Sequence, residues 1–97
     1  MASNFRITAH QSKANLYLEL MGEFDGSSAT VLVNALKKYS SKNKNIVINT
    51  SGLYLIHPFG LGVLQKECMA NKSLHGLRFI GKHGNMMEPH EGDSFWY

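Results

Sequence analysis

Five histidines, one cysteine and a Gly60-Leu61-Gly62 run are the features of this chain whose residue types invite chemistry. His10, His57, His75, His83 and His90 never stand four apart, so none makes the paired-imidazole face of a helical zinc site. His83 and His90 keep company with Glu88 and Glu91, which is an adventitious grouping, and no specific metal site is expected. Cys68 falls on the apolar side of a helical pattern. A thiol there is structural, because a reactive thiolate needs an exposed, electropositive setting. The Gly60-Leu61-Gly62 run opens a helix after an extended segment, where anions are attracted. The dinucleotide fingerprint fails at Gln65, where its third glycine belongs. No Lys-Ser or Lys-Thr pair follows, so a P-loop is excluded. Close backbone packing explains the glycines, with a nucleotide or small-ligand site as the alternative. No nucleophile pairs with a base. The chain is expected to have no catalytic residue, to need no cofactor and not to be an enzyme.

The rest of the composition fits a small soluble domain. The chain has 97 residues, 43% hydrophobic and 18% charged, enough for one core. Its formal charge is +3, with Lys37, Lys38, Lys42 and Lys44 loosely clustered. These lysines suit a solvated helix end, where the macrodipole is negative, and nucleic-acid binding is not expected. One cysteine allows no intramolecular disulfide, which fits a reducing compartment. Residues 1–10 lack the apolar core of a signal peptide. No apolar run approaches the ~20 residues of a membrane helix. A cytoplasmic location is expected.

The elements that must position these residues follow from periodicity. Phe5 to His10 alternates as a half-buried strand. Gln11 to Asn15 reads as a hairpin connection. Leu16, Leu18 and Leu20 fall on one face of a second strand that is expected to end at Gly22. Glu23 to Ser28 is turn-rich. Ala29, Leu32, Val33 and Leu36 then recur at three and four, so a helix follows, with Ser27 or Ser28 as its cap. Ile46-Val47-Ile48 is a short β-branched run that suits a central strand. Asn49 to Gly52 reads as a turn, and Leu53 to Ile56 as an extended apolar segment. Pro58 disfavours helix at His57 but is tolerated at a first helical position. A second helix is expected from about Phe59 to Asn71, with Leu61, Leu64 and Cys68 inward. After a turn at Ser73 to Gly76, Leu77 to Ile80 forms another strand. Residues 83–97 read as a tail ending in Phe95-Trp96-Tyr97. The order β-β-α-β-α-β implies right-handed crossovers between parallel strands after an opening hairpin.

Two segments together resemble a known family. Met21-Gly22-Glu23-Phe24-Asp25 precedes the first helix, and Ile46-Val47-Ile48-Asn49-Thr50-Ser51-Gly52-Leu53 precedes Leu55-Ile56-His57-Pro58-Phe59-Gly60-Leu61-Gly62-Val63-Leu64. Both are similar to the STAS domain of anti-sigma-factor antagonists and sulphate-transporter tails, whose segments read roughly G-E-L-D and then D-L-S-G-V with F-I-D-S-S-G-L-G-V-L. The resemblance covers residues 5 to 81. It implies an α/β fold, a STAS-like mixed four-stranded sheet with helices mainly on one face. The domain would span residues 1–82 and the tail residues 83–97.

The resemblance also implies a mechanism. In that family a serine before the second helix is phosphorylated by a cognate kinase, which is itself the anti-sigma factor, and partners exchange. Aligned on Gly60, the acceptor position here is Phe59, the preceding serine is Pro58 and the usual aspartate is His57. Asn49 replaces another aspartate. The expected function is a regulatory protein-protein interaction module in bacterial transcription control, without the usual serine phosphoswitch. His57, Pro58, Phe59, Gly60 and Leu61 are the expected partner-binding residues, facing an anti-sigma factor or serine kinase. Phe59 either anchors the partner or packs inward. Ser27 and Ser28 are candidate phosphorylation positions, with helix capping as their ordinary role. The alternative functions are a STAS subunit of a lipid-transport complex that works without a phosphoserine, and a nucleotide or small-ligand sensor. The fourth strand is followed by little more than the tail, so the open sheet edge wants cover, and a homodimer is one way to supply it.

Overall fold

The computed structural model describes residues 4–13, 15–40, 45–71 and 77–87. Strand β1 (Arg6–Ser12) turns back into β2 (Asn15–Phe24), and the two pair antiparallel with Ala9 opposite Leu18. Lys13 takes a positive φ of 55° in the connection, as a tight hairpin requires. Helix α1 (Gly26–Ser40) carries the chain to β3 (Asn45–Ile56), which lies parallel to β2. Helix α2 (Pro58–Ala70) carries it on to β4 (Arg78–Ile80), parallel to β3. The sheet order is β1-β2-β3-β4.

That order fixes the layers. Both crossovers step the same way across the sheet, and parallel crossovers are right-handed, so α1 and α2 share one face. The alternation in β2 buries Leu16, Leu18 and Leu20 under them. Register sets Ile46 beside Leu16, and aligns Leu18, Ile48 and Phe79 across three strands. Ala29, Leu32, Val33 and Leu36 of α1, with Leu64 and Cys68 of α2, close the core from above. Each fully buried leucine here contributes about 1.5–3 kcal/mol. On the opposite face, Asn49 Nδ2 donates to the Tyr17 hydroxyl at 2.6 Å, and the His10 ring stands 5.9 Å from that of Tyr17.

The strands run further than the periodicity predicts. Gly22 was expected to end β2, but the strand continues to Phe24 through a register shift, with Gly22 at φ 101°. Likewise Asn49 to Gly52 is not a turn between segments. It lies inside one twelve-residue strand, where the pairing jumps from Glu19↔Asn49 to Met21↔Gly52. Asn49 Oδ1 accepts the Ser51 amide at 2.9 Å, so these residues make their local turn bond within a bulge.

A third helix, α3 (Gly84–Met87), stands where the tail was expected to begin. Gly81, at φ 94°, reverses the chain after β4. The His83 amide then donates to Thr50 Oγ1 at 2.9 Å, and Thr50 itself donates to the Ile80 carbonyl at 2.9 Å. His83 Nε2 lies 3.0 Å from the Leu53 carbonyl, to which it donates. Met87 is fully buried and joins the core. Lys42, Lys44, the Ser73–Gly76 turn, His75, His90 and the aromatic residues 95–97 lie outside the described residues.

Candidate functional site

The starts of α1 and α2 meet, and local chemistry builds each one. Asp25 caps α1. Its Oδ1 accepts the Ser28 amide at 2.9 Å, and its carbonyl accepts the Ala29 amide at 2.9 Å. The expected caps, Ser27 and Ser28, therefore lie inside the first turn of the helix, after the residue that caps it. Ser28 is fully buried, and its hydroxyl donates to the Glu23 carbonyl at 2.6 Å. Ser27 is exposed. The Ser28 amide and hydroxyl hold the Asp25 carboxyl below its ordinary value, the amide bond being the larger cause.

At the start of α2, Pro58 keeps His57 extended at φ −88° and ψ 136° and takes the first helical position itself. The His57 amide donates to the Phe24 carbonyl at 2.8 Å, which ties this turn to the end of β2. The His57 carbonyl accepts the Gly60 amide at 2.9 Å. No side chain caps this helix, and no acidic residue lies in its first turn.

Two glycines let the helix starts close on each other. Gly60 is buried, and a Cβ there would stand 2.8 Å from the Asp25 carbonyl oxygen. A Cβ on Gly26 would stand 2.7 Å from both Cδ2 and Cε2 of Phe59. The Phe59 ring therefore lies over Gly26. It stays 74% exposed, the most exposed large hydrophobic side chain among the described residues. Of the two expectations for Phe59, an outward ring is the one observed.

The five expected residues thus divide. Pro58 and Phe59 are exposed, and His57 is half-buried. Gly60 is a packing residue, and Leu61 leans on the core. Tyr54 and Leu55, at the end of β3 that leads into this turn, are exposed as well. Sequence reasoning missed Asp25 and Gly26. The Asp-x-x-Ser spacing from Asp25 to Ser28 was the available signal for the cap. Nothing in the sequence marks Gly26 as the seat of a ring 33 positions away.

The arrangement offers a surface and little reactivity. Residues 57–60 carry no hydroxyl. Among the described residues no group of histidine, cysteine and acidic side chains is placed to hold a metal. Burial pushes the Cys68 thiol up to about 11, with the Glu67 carboxylate adding to it, so this sulfur is protonated at neutral pH. Among the described residues no helix is long and apolar enough to cross a membrane.

Comparison with solved structures agrees with this architecture. An anti-sigma factor antagonist from Mycobacterium paratuberculosis superposes with a TM-score of 0.64 at 15% identity, over 84% of this chain and 72% of the other. The STAS domain of an antisigma-factor antagonist from Rhodobacter sphaeroides gives 0.60 at 14% identity, over 89% of this chain and 94% of its own. The anti-sigma factor antagonist SpoIIAA in its unphosphorylated form gives 0.55 at 16% identity, over 79% and 70%. No protein-family model matches the sequence, and no curated protein matches it. The chain has a STAS-like fold, with a mixed four-stranded sheet and three helices among the described residues.

Proposed function

We propose that this chain is a non-catalytic regulatory module of the anti-sigma-factor-antagonist kind, which binds a protein partner through the start of α2. Three solved structures of the same fold are described as anti-sigma factor antagonists, which supports a partner such as an anti-sigma factor or serine kinase. The supporting observation in this chain is Phe59, an aromatic ring held outward at 74% exposure over a glycine. Leaving such a ring in water has a cost that a partner's pocket removes, and aromatic residues are common interface hot spots.

The same residue argues that the module is constitutive. No hydroxyl stands at positions 57 to 60, so a serine kinase finds no acceptor on this turn. Ser28 is buried and bonded, which leaves Ser27 as the accessible candidate of the two. A bacterial cytoplasmic setting and a role in transcription control follow from this reading.

Affinity capture from the native cell tests it. Wild-type chain should retain a specific protein that Phe59→Ala loses, with affinity reduced on the order of 30-fold for a hot-spot aromatic. Equal capture by the two proteins would refute Phe59 as the anchor. Incubation with serine kinases of that cell should leave residues 57–60 unmodified.

A further inference from the structure

A second set of residues, separate from His57–Leu61, surrounds an open cleft of about 300 Å³. It lies where β2 and β3 shift register between Gly22 and Glu23, at the carboxyl ends of these parallel strands. Its lining is Asn4, Phe5, Arg6, Met21, Gly22 and Tyr54. Ligands of open α/β sheets gather outside strand carboxyl ends, and bulges often flank sites.

The cleft has a rigid floor. Gly22 is buried at φ 101°, and a Cβ there would run into the Asn4 carbonyl oxygen, so only glycine fits. Phe5 is braced edge-on against Phe24, with ring centroids 6.0 Å apart. Met21 and Tyr54 are the exposed apolar members, at 38% and 62%. The Phe24 contact turns the Phe5 ring toward the core, so the walls are the Tyr54 ring and the Met21 thioether, surfaces that a flat ring can lie on.

The polar groups of the lining favour an anion. Asn4 Nδ2 donates to the Tyr54 hydroxyl at 2.9 Å. That bond occupies an acceptor lone pair and leaves the phenolic proton free to donate. Arg6 is the one charged residue of the lining, and its side chain has no hydrogen bond or ion pair among the described residues. A guanidinium and a phenol proton on one cleft make a donor pair for a carboxylate, and guanidinium-carboxylate pairs are the strong, planar kind.

We infer that this cleft binds a small aromatic carboxylate, its ring against Met21 and Tyr54 and its carboxylate on Arg6 and the Tyr54 hydroxyl. The inference stands apart from the partner surface of α2, because it uses none of those residues.

The test titrates 2-naphthoate into the full chain, followed by amide and side-chain NMR shifts, with 2-naphthamide as the uncharged comparison. Saturable shifts are expected at residues 4–6, 21, 22 and 54, with a dissociation constant on the order of 1 mM or tighter. Arg6→Gln should weaken naphthoate at least about tenfold, and the naphthamide should bind about that much more weakly to the wild type. Arg6 and Tyr54 are exposed, so Arg6→Gln and Tyr54→Phe are expected to fold, and unchanged dispersed spectra would verify this. Tyr54→Phe should weaken naphthoate by a smaller factor, on the order of threefold to tenfold, as one neutral donor is removed. No saturable shift up to about 10 mM, equal binding of acid and amide, or shifts centred elsewhere would each overturn the assignment.

Discussion

At the scale of single residues, the contact between Gly26 and Phe59 separates function from stability. Gly26→Ala puts a methyl group where the ring lies, 2.7 Å from two of its carbons. The ring is exposed and free to swing away, and alanine is the better helix former by about 1 kcal/mol. Gly26→Ala is therefore expected to leave the melting temperature unchanged or slightly raised, while weakening partner capture. Denaturation and pull-down on the same preparation check both halves. Asp25 gives a pH prediction. Its carboxyl is held below the ordinary value in the folded chain, so the stability it adds is present above about pH 4 and is lost as pH falls through the folded value. Asp25→Ala should lower the melting temperature at pH 7, and the difference from wild type should shrink below pH 4. A constant difference across that range would mean that the Ser28 bonds are not what stabilises the carboxylate. Cys68 should resist thiol reagents at pH 8 in the folded chain and react on denaturation, since its thiol is buried and titrates near about 11.

At the scale of elements, β3 is where sequence and structure part. Ile46 and Ile48 alternate into the core as expected, and Leu16, Leu18 and Leu20 do the same in β2. Their period of two is a property of local sequence and is legible there. Asn49-Thr50-Ser51-Gly52 has the composition of a turn, and its local bonding is turn-like. What the sequence does not carry is that the pairing with β2 skips a residue of β3 here, so that it resumes with Met21 opposite Gly52 and Gly22 opposite Leu53. A bulge is a statement about two strands, and periodicity reads one at a time. The α3 segment was illegible for a related reason. Four residues have no period, and Met87 is helical because Thr50 and Leu53, over thirty positions earlier, hold His83 in place. Thr50 is thus the joint of this end of the sheet. Thr50→Val removes the Ile80 bond and strands the His83 amide, at a cost of about 1–3 kcal/mol for a buried orphan donor. Urea denaturation should show that loss, and hydrogen exchange should speed at Ile80 and His83 ahead of β2.

At the scale of the whole molecule, the layer arrangement follows from connection order and handedness, which is why it could be expected from element order alone. One mixed sheet with α1 and α2 on one face leaves the starts of both helices side by side, because each helix begins where a parallel strand ends. The place of the candidate surface was legible for that reason. Its character was not, since the Phe59 ring lies over Gly26, a residue of another helix 33 positions away. The core beneath is tight enough for the surface to be tested without confusion from unfolding. Leu18→Ala, at 0% exposure, should cost about 2–5 kcal/mol of a total of about 5–15 kcal/mol, whereas Phe59→Ala should cost under about 0.5 kcal/mol. The most direct measurement is the dissociation constant of the captured partner for wild-type chain, Phe59→Ala and Gly26→Ala, each verified as folded. Both variants should bind more weakly than wild type, Phe59→Ala by a factor on the order of 30. Wild-type affinity in both would contradict a docking surface built around that ring.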